Sequence, residues 1–589
     1  MGRRNRMRCL RHGIPAPRAL WRGCVSCRVS VRIKLRRKPT ACPSLVRLVA
    51  CKSFPTFPGY YNFVALEHFI RLSSIFCLCI MSPIMQFFAF QQLNSLVLLP
   101  ILLLACCIVW IVYARYLHPL AKYPGPFFAS ITRLWLIVDV ARGGCEKTQR
   151  QLHEKYGPIV RIAPNEVAIA DPEAIRTIYS PHSGFIKTDF YLPFRATWGR
   201  YPDAFTNLDE RQHAERRRIV NYLYSMSNIV QLEEEVDKCI QLLVTKFTDC
   251  AIKGNVIDMS EWVQWYAFDV IGQLFFSRMF GFLKGACDYR SYINALDLLI
   301  PFIAVACASP TYLRPLVLIS GAAIPRVFKA LKALKHIEDA SEKCVMDRQH
   351  LINSGKAEEC EDMLQSFFDV MEKRGQSNDF GITEVKMEAY GAFIAGSDTT
   401  AAAITAIIYH LMRTPASYTK LTAEIDEADL AGHLSPDIQY HEAVGLPYLM
   451  ACCKEGMRLH PSVGMTLPRL VPRGGCVIAG QWFPGGTRVG VNAAVIQRDR
   501  NIFGDDANEF VPERWFRPGA ARMERYMFQF GGGARTCIGK NISLGEMYKV
   551  IPQLLRAFDM RLEEPDSEWE TCNYWFNKPK KVYTVVRCR

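Results

Sequence analysis

A lone cysteine lies in a glycine-rich stretch near the C-terminal end of the chain, FQFGGGARTCIGKNISLGE, which runs from Phe528 to Glu546. Glycines before and after Cys537 let its sulfur project past bare backbone, and backbone N–H groups can point towards it. The residues that follow have helical spacing, and the N-terminus of a helix stabilises negative charge. This setting favours a thiolate, and thiolates are metal ligands.

The surrounding residues limit which metal this cysteine would bind. No second Cys or His stands at the spacing of a zinc site, which argues against zinc. A single axial thiolate to a haem iron fits the pattern, and Arg535 is placed to meet an acidic group of the same cofactor. The alternative interpretation of Cys537 is a buried structural cysteine in a glycine turn.

The longer pattern F-x-x-G-x-R-x-C-x-G resembles the haem-binding signature of the cytochrome P-450 family. It is matched by Phe530, Gly533, Arg535, Cys537 and Gly539. The resemblance implies that the glycines allow close approach to the porphyrin of haem b, that the arginine meets a propionate, and that the cysteine ligates the iron. It also implies a fold that is mainly α with small β-sheets (α+β), in a single large haem domain behind an N-terminal membrane anchor.

A polar cluster, AGSDTT, interrupts a long apolar helical run at Ala395–Thr400. Gly, Ser, Asp and Thr weaken the interior of a helix, so a compensating role is expected. A groove here would admit dioxygen, and the family resemblance implies that Asp398 and Thr399 deliver protons. The other interpretation is a solvated polar face, which the apolar residues on both sides disfavour.

Glu455 and Arg458 form an E-x-x-R pair, which helical spacing puts on one face. With Arg514 in the later segment PERW, they resemble the buried Glu–Arg–Arg network of the family. That network is structural, and it holds the segment leading to the cysteine. Trp515 stands where the family usually has Phe.

Three more residues resemble ligands of the haem propionates. His213 and Arg217 have the spacing of a Trp-x-x-x-Arg pair in an early helix of the family, and a basic surface run is the alternative. Arg469 matches a propionate-binding arginine by its distance after E-x-x-R. An apolar substrate pocket is expected over the haem, and four residues are predicted to line it: Phe393, Val463, Met465 and Leu467.

A large, mostly helical body is expected to position these residues. A β-hairpin is predicted at Ile159–Ala163 and Glu166–Ala170, and short strands return in Gly474–Val491. No internal repeat or low-complexity linker follows Pro126, so residues 127–589 are predicted to form one haem-thiolate catalytic domain. Long amphipathic helices are predicted at three places: Leu232–Phe247, Trp262–Phe276 and Val385–Met412.

Composition excludes some classes of protein. Half of the 589 residues are hydrophobic and 22% are charged, which suits one very large domain. The first 66 residues hold 15 Lys or Arg and no Asp or Glu, whereas the remainder has 57 basic and 56 acidic residues. This nearly neutral body argues against a nucleic-acid partner despite the net charge of +16. The 22 cysteines include no pair of C-x-x-C motifs, which fits reduced thiols and not a disulfide scaffold.

One segment near the N-terminal end is long and apolar enough to enter a bilayer. Leu96–Ala114 consists of 19 almost purely hydrocarbon residues, the length of a transmembrane helix. Residues 115–126 follow as a proline-rich hinge, since two prolines around Gly125 do not continue a helix. The resemblance to membrane-bound members implies the endoplasmic reticulum membrane, with the catalytic domain facing the cytosol.

Residues 1–71 form a basic tail, and residues 72–95 form a second apolar segment. A basic tail beyond a single span would contradict the positive-inside rule. Three interpretations stay open. They are a native start at Met81 or Met85, a second membrane segment at Leu72–Phe90 that pairs with Leu96–Ala114, and a mitochondrial transit peptide.

Two stretches, Tyr116–Trp135 and Trp265–Leu283, resemble membrane-bound fungal members of specialised metabolism, of the pisatin-demethylase-like and trichothecene-oxygenase-like groups. The implied reaction inserts one oxygen atom of O2 into a small apolar molecule. Electrons would come from an NADPH-cytochrome reductase, since no G-x-G-x-x-G follows a strand. The alternatives are a haem-thiolate isomerase or dehydratase that needs no O2, which Thr399 disfavours, detoxification of a xenobiotic or phytoalexin, and a non-catalytic haem-binding protein.

Overall fold

The structure is a computed structural model, and it describes residues 95–589 apart from 197–198, 356–360 and 567. The basic tail at 1–71 and residues 72–94 lie outside the described residues. The three interpretations of the N-terminal region therefore stay predictions.

Helices of eight or more residues form most of the described body, and we number them in chain order. They are α1 Ser95–Val112, α2 Leu134–Ala141, α3 Cys145–Tyr156, α4 Glu210–Val220, α5 Glu233–Lys253, α6 Met259–Phe276, α7 Tyr292–Ala308, α8 Arg314–Ala322, α9 Pro325–Asn353, α10 Met363–Asn378, α11 Ile382–Arg413, α12 Pro415–Leu430, α13 Pro447–Leu459 and α14 Lys540–Ala557. The three predicted amphipathic stretches lie in α5, α6 and α11.

Shorter helical segments join these long helices. One of them, Tyr113–Leu117, is a π-helical turn that continues α1. The others are Phe127–Ile131, Glu173–Tyr179, Asp189–Phe194, Asn221–Tyr224, Met226–Gln231, Phe282–Gly285, Tyr289–Ser291, Tyr440–Ala443, Ala493–Ile496, Arg500–Phe503, Pro512–Phe516, Ala520–Glu524 and Gly533–Arg535.

The strands are short and lie at the edges of the helical body. A five-stranded sheet has the order β1-β2-β8-β5-β3, a three-stranded sheet has the order β4-β12-β9, and two hairpins pair β6 with β7 and β10 with β11. The predicted hairpin at β1 and β2 is confirmed, as is the α+β class. The strands are β1 Ile159–Ala163, β2 Glu166–Ile169, β3 Ile186–Lys187, β4 Val256–Asp258, β5 Arg469–Leu470, β6 Cys476–Ile478, β7 Gln481–Phe483, β8 Arg488–Gly490, β9 Phe558–Leu562, β10 Glu570–Asn573, β11 Asn577–Lys580 and β12 Tyr583–Cys588.

Helices α6 and α11 pack against each other in the centre of the body. Every residue from Tyr266 to Phe276 on α6 is buried, as expected for an interior helix that is apolar on most sides. Gly396 of α11 faces Ile271 of α6, and a Cβ at this glycine would lie 2.6 Å from the Ile271 Cδ1 atom. A larger residue in place of this glycine would therefore require the Ile271 side chain to shift, so the glycine favours the close approach of the two central helices.

Among the described residues, three helical segments are long and apolar enough to cross a membrane: Leu99–Leu117, Tyr289–Ala308 and Ile382–Arg413. In their apolar stretches, 6% of the first segment is buried in the protein, compared with 56% and 67% for the other two. The last two correspond to the core helices α7 and α11. The first keeps an exposed hydrocarbon surface, so it is the segment suited to anchor the protein in a membrane.

Helix α1, the candidate membrane anchor, is attached to the body by hydrogen bonds at its C-terminal end. The Trp110 indole nitrogen donates to the Ile131 carbonyl oxygen at 2.8 Å. The buried Arg161 guanidinium donates to the Ala114 carbonyl oxygen at 2.7 Å, and the Arg161 amide donates to the Pro124 carbonyl oxygen at 2.8 Å. These contacts hold the segment predicted as a stiff hinge against strand β1.

Candidate active site

The cysteine loop runs from Phe528 to the start of α14, and its glycines are required by its shape. Gly531 and Gly533 have positive φ angles of 69° and 61°. A Cβ at Gly533 would lie 1.9 Å from the Tyr179 carbonyl oxygen, so no larger residue fits there. The Cys537 amide donates to the Phe530 carbonyl oxygen at 2.8 Å, which closes the loop.

The Cys537 thiol faces an internal space. Its side chain is exposed, yet burial by the surrounding protein raises the pKa of this thiol, while the Gly539 N–H, the Arg217 guanidinium and the Lys540 N–H act in the opposite direction. A group that has open surface while it is surrounded by protein borders a cavity and not the outer surface. The backbone N–H groups of Gly539 and Lys540, at the start of α14, point towards the sulfur, as expected from the sequence.

A stripe of small residues on α11 also has open surface. Gly391 and Ala395 are exposed although α11 crosses the core, and Thr399 follows on the same helical face. The hydroxyl of the next residue, Thr400, donates to the Ser543 hydroxyl on α14 at 3.1 Å. Because α14 begins just after the cysteine, this contact places the stripe close to the cysteine loop.

The two residues predicted to deliver protons have different partners. The Thr399 hydroxyl donates to the Ala395 carbonyl oxygen at 2.9 Å. Asp398 is 1% exposed, accepts a hydrogen bond from the Gln264 amide at 2.5 Å, and forms an ion pair with Lys578 at 2.7 Å. Asp398 thus points towards α6 and β11, whereas Thr399 lies on the open stripe. No sequence pattern indicated Gln264 or Lys578, because both come from distant parts of the chain.

Arg535, which precedes the cysteine by two residues, is held by α4. Its Nε and Nη2 atoms donate to the Glu210 carboxylate at 3.0 Å and 2.8 Å. Arg217 also lies on α4, two turns after Glu210. Burial lowers the pKa of Arg217 and the charge of the Cys537 sulfur raises it, which places this guanidinium in the vicinity of the thiol.

His213 lies one turn before Arg217 and has unused hydrogen-bonding capacity. It is 1% exposed, and among the described residues neither of its ring nitrogens has a hydrogen-bond partner. Burial lowers the pKa of His213 to about 3, and the adjacent Arg535 and Arg217 contribute to that shift. The ring is therefore neutral, with one N–H to donate and one nitrogen to accept.

Two more buried cations belong to the same cluster. Arg469, on β5, donates to the Tyr191 hydroxyl at 2.8 Å. Lys187, on the neighbouring strand β3, donates to the Phe205 carbonyl oxygen at 2.5 Å. Burial lowers the pKa of Lys187 well below its usual range, and the guanidinium groups of Arg469 and Arg535 lower it further. No sequence signal indicated Lys187, which stands in the unremarkable stretch FIKTDF.

These groups fit a haem. The cofactor needs an axial thiolate, a space bordered by small residues, and cations or N–H donors for its two carboxylates. Cys537 supplies the sulfur, and the stripe on α11 borders the space. The unpartnered nitrogens of His213 and the buried cations Arg469 and Lys187 supply donors for carboxylates.

The predicted Glu–Arg–Arg residues meet in the core, where all three side chains are fully buried. The Glu455 carboxylate accepts from Arg458 Nε at 2.9 Å and Nη2 at 2.8 Å, and from Arg514 Nε at 2.8 Å. Trp515 adds an indole donor at 3.1 Å, which the usual Phe would not supply. The arginines also donate to backbone carbonyl oxygens between Gln497 and Glu509, and so tie α13 to the segment before the cysteine loop.

The four predicted pocket residues do not share one location. Met465 is buried in an aliphatic and aromatic cluster, against which Val463 and Leu467 pack. Leu467 also lies beside the cysteine loop, with its Cδ1 atom 4.0 Å from the position of a Cβ on Gly531. Phe393 lies elsewhere.

Phe393 is 2% exposed and packs on the side of α11 that faces away from the open stripe. Its ring centroid lies 5.0 Å from that of Phe280 and 5.4 Å from that of Phe268. The helix turns Phe393 by about half a revolution from Ala395, so its ring enters the core. This position does not support the prediction that Phe393 lines the pocket.

Comparisons with known proteins all identify similarity to one family. The Cytochrome P-450 family profile matches residues 124–585. The chain is 42% identical over 482 residues to the cytochrome P-450 monooxygenase gsfF of Penicillium aethiopicum, covering 82% of this chain and 96% of that protein. It is 34% identical to the cytochrome P-450 monooxygenase cicH of Emericella nidulans, over 83% of this chain and 98% of the relative. It is also 34% identical to a pisatin demethylase of Fusarium vanettenii, over 83% and 94%.

Proposed function

This chain belongs to the cytochrome P-450 family, and on that premise we propose that Cys537 is the axial ligand of its haem iron. The resemblance inferred from the sequence is confirmed, and the chain is a haem monooxygenase of fungal specialised metabolism. The observation that carries the assignment of the ligand is the position of the Cys537 thiol. It borders an internal space next to a cluster of buried cations.

We propose that the cofactor is haem b. Its propionates would be held by Arg535, Arg469, Arg217 and His213, whose side chains form the buried basic cluster. Phe530 would pack beside the sulfur, while Gly533 and Gly539 let the loop approach the porphyrin. When bound, the haem supplies the activation of O2 and the oxidation of a C–H bond.

The chain's own residues would orient the substrate and move protons. Leu467 lies beside the cysteine loop, and Val463 and Met465 belong to the same apolar cluster, which suits a small apolar substrate. Thr399 lies on the open stripe of α11, where its hydroxyl would hold and pass on a proton after it turns away from the Ala395 carbonyl oxygen, its acceptor in this conformation. Asp398, one residue earlier, would pass protons to Thr399 after a change of partner, because in this conformation it is paired with Lys578.

Replacing Thr399 tests this proton path. Thr399→Ala removes a hydroxyl whose only protein acceptor among the described residues is the Ala395 carbonyl oxygen, so the cost to stability should stay near 1 kcal/mol. We expect normal haem content, with the product formed per NADPH consumed about tenfold lower, because protons no longer arrive in order. Product and NADPH are measured in the same reaction. Thr405→Ala, on a buried part of α11, is the control, and unchanged coupling in Thr399→Ala would contradict the assignment.

We propose that electrons come from an NADPH-cytochrome reductase and that α1 anchors the protein in the endoplasmic reticulum membrane. Residues 127–589, the catalytic domain, would then face the cytosol. The exposed hydrocarbon surface of α1 and the adjacent Arg115 and Lys122 support this orientation, since basic residues favour the cytosolic side.

Protease treatment of sealed microsomes tests this orientation. Trypsin added outside the vesicles is expected to digest the body at accessible sites, because the cytosolic face is the outer face of a microsome. An antibody against the C-terminal segment measures the loss of the full-length band. A body that survives until detergent is added would place it on the lumenal side and contradict the proposal.

A further inference from the structure

Lys578 is a largely buried lysine whose ammonium lies between two carboxylates on different helices. From strand β11, its Nζ atom is 2.7 Å from Asp398 on α11 and 2.5 Å from Asp297 on α7. The side chain of Asp398 is fully buried, whereas those of Lys578 and Asp297 are 13% and 31% exposed. Lys578 is thus the cation that neutralises the buried Asp398 carboxylate, and it is shared with Asp297.

The charges of these three groups depend on one another. Burial acts to lower the pKa of Lys578, but the carboxylates of Asp398 and Asp297 raise it above its usual value. Burial acts to raise the pKa of Asp297, but Lys578 and Lys580 hold it below its usual value. Lys578 and Asp297 are therefore both charged at neutral pH. Since a buried carboxylate without a cation is costly, Lys578 also keeps Asp398 ionised.

The other partner of Asp398 comes from a third element. The Gln264 amide on α6 donates to Asp398 Oδ1 at 2.5 Å, while Lys578 faces Oδ2. Donors on α6 and β11 thus hold Asp398 away from Thr399, which lies on the open stripe of α11. Asp398 has to leave Lys578 before it can turn towards Thr399. Because Asp297 is within reach of the same ammonium, Lys578 keeps an anionic partner during that exchange.

We propose that Lys578 is a positioning residue of the proton path, and that Asp297 retains its ammonium when Asp398 turns towards Thr399. This inference rests on the proposed function, because it extends the role given to Asp398 there. Lys578 transfers no proton itself: it keeps the carboxylate ionised and sets its orientation. A lysine ammonium has three donor hydrogens, so it can serve both carboxylates and keep one when the other leaves.

Lys578→Met, in the full-length, haem-loaded protein, tests the first half of this proposal. The buried Asp398 carboxylate would lose its cation and should take up a proton, so the carbonyl stretch of a protonated carboxyl group should appear in the infrared spectrum. That band should be absent from the Lys578→Met/Asp398→Asn double variant. Donating the proton would leave an unpaired buried anion, so we expect the product formed per NADPH consumed to fall about tenfold. Lys578→Arg keeps the charge and should restore most of both properties.

Asp297→Asn tests the second half. Asparagine keeps the size of the side chain and removes the charge that competes for Lys578. The ammonium should then bind Asp398 more tightly, which slows the change of partner. We expect the product per NADPH to fall about threefold and the solvent isotope effect on product formation to rise, without a protonated-carboxyl band.

Lys580 provides a matched control. It lies two residues after Lys578 on the same face of β11, is 45% exposed, and is 3.5 Å from Asp297. Lys580→Met should leave both the infrared spectrum and the coupling of product to NADPH unchanged. Lys578→Met that lacks the band, or that shows the band with wild-type coupling, would overturn the proposal.

Asp297→Asn gives a decision even if Lys578→Met does not fold, because wild-type coupling and a wild-type solvent isotope effect in that variant also overturn the proposal. The infrared band separates the two levels of inference. It depends on Lys578 and Asp398 alone, whereas unchanged coupling in Thr399→Ala defeats the proton path on which the proposal rests.

Discussion

Cys537→Ala is expected to abolish the red-shifted Soret band that the reduced carbonyl complex of a thiolate-ligated haem shows. The physical reason is that Cys537 is the thiol that borders both the internal space and the start of α14, so no other sulfur is placed to replace it in the described structure. Monooxygenase turnover should be lost completely, since the axial thiolate promotes O–O cleavage. Reduced-plus-carbonyl difference spectroscopy and product analysis measure the two effects.

The control for this prediction is a cysteine outside the loop. Cys572, on β10, is partly buried, and the charged groups around it are Lys578, Lys580, Asp297 and Glu146, none of which is assigned to the haem. Cys572→Ala should therefore keep the thiolate spectrum. Wild-type protein that folds, binds haem and gives only a histidine-like carbonyl spectrum would refute Cys537 as the ligand.

Arg458→Ala is expected to yield almost no haem-loaded protein. The substitution leaves the fully buried Glu455 carboxylate with one arginine in place of two, and it frees the backbone carbonyl oxygens of Gln497 and Ala507. Removing one partner of a buried ion pair costs about 3–5 kcal/mol, a large share of the 5–15 kcal/mol by which proteins are typically stable. Haem content per polypeptide and the yield of soluble protein after detergent extraction measure the loss.

Two substitutions at neighbouring residues are expected to destabilise the protein less than Arg458→Ala does. Arg517 pairs with Asp506 at 3.0 Å, but it is 48% exposed, so Arg517→Ala should cost no more than about 1 kcal/mol. Trp515→Phe removes one of the donors to Glu455 and keeps both arginines, so an intermediate loss of about 1–3 kcal/mol is expected. Stable, haem-loaded Arg458→Ala protein would show that the network does not support the fold.

Several parts of the molecule could be predicted because their physical causes are local. The glycines of the cysteine loop follow in part from the positive φ angles of Gly531 and Gly533, which are set within a short stretch, whereas the close approach of Tyr179 to Gly533 is a contact between distant residues. The hairpin at Ile159–Ile169 and the long central helix α11 follow from hydrophobic periodicity, which is also local. The E-x-x-R pair meets on one face because both residues lie on the single helix α13.

Other features depend on contacts between distant residues. Lys187 joins the basic cluster only because β3 pairs with β5, which carries Arg469 from a segment far along the chain. Lys578 reaches Asp398 only because β11 packs against α11. Nothing in the local spacing of either lysine indicates these partners.

The sequence by itself determined the haem-thiolate chemistry, the apolar anchoring segment and the mainly helical fold, because each is encoded in a contiguous pattern. Tertiary structure alone decided which side of α11 faces the open space, and therefore that Thr399 borders it while Phe393 enters the core. It also decided which buried cations come together near the cysteine loop. A sequence pattern predicts which residues share a face of a helix or strand. Only tertiary packing decides what that face contacts, because burial and charge pairing depend on the neighbouring elements.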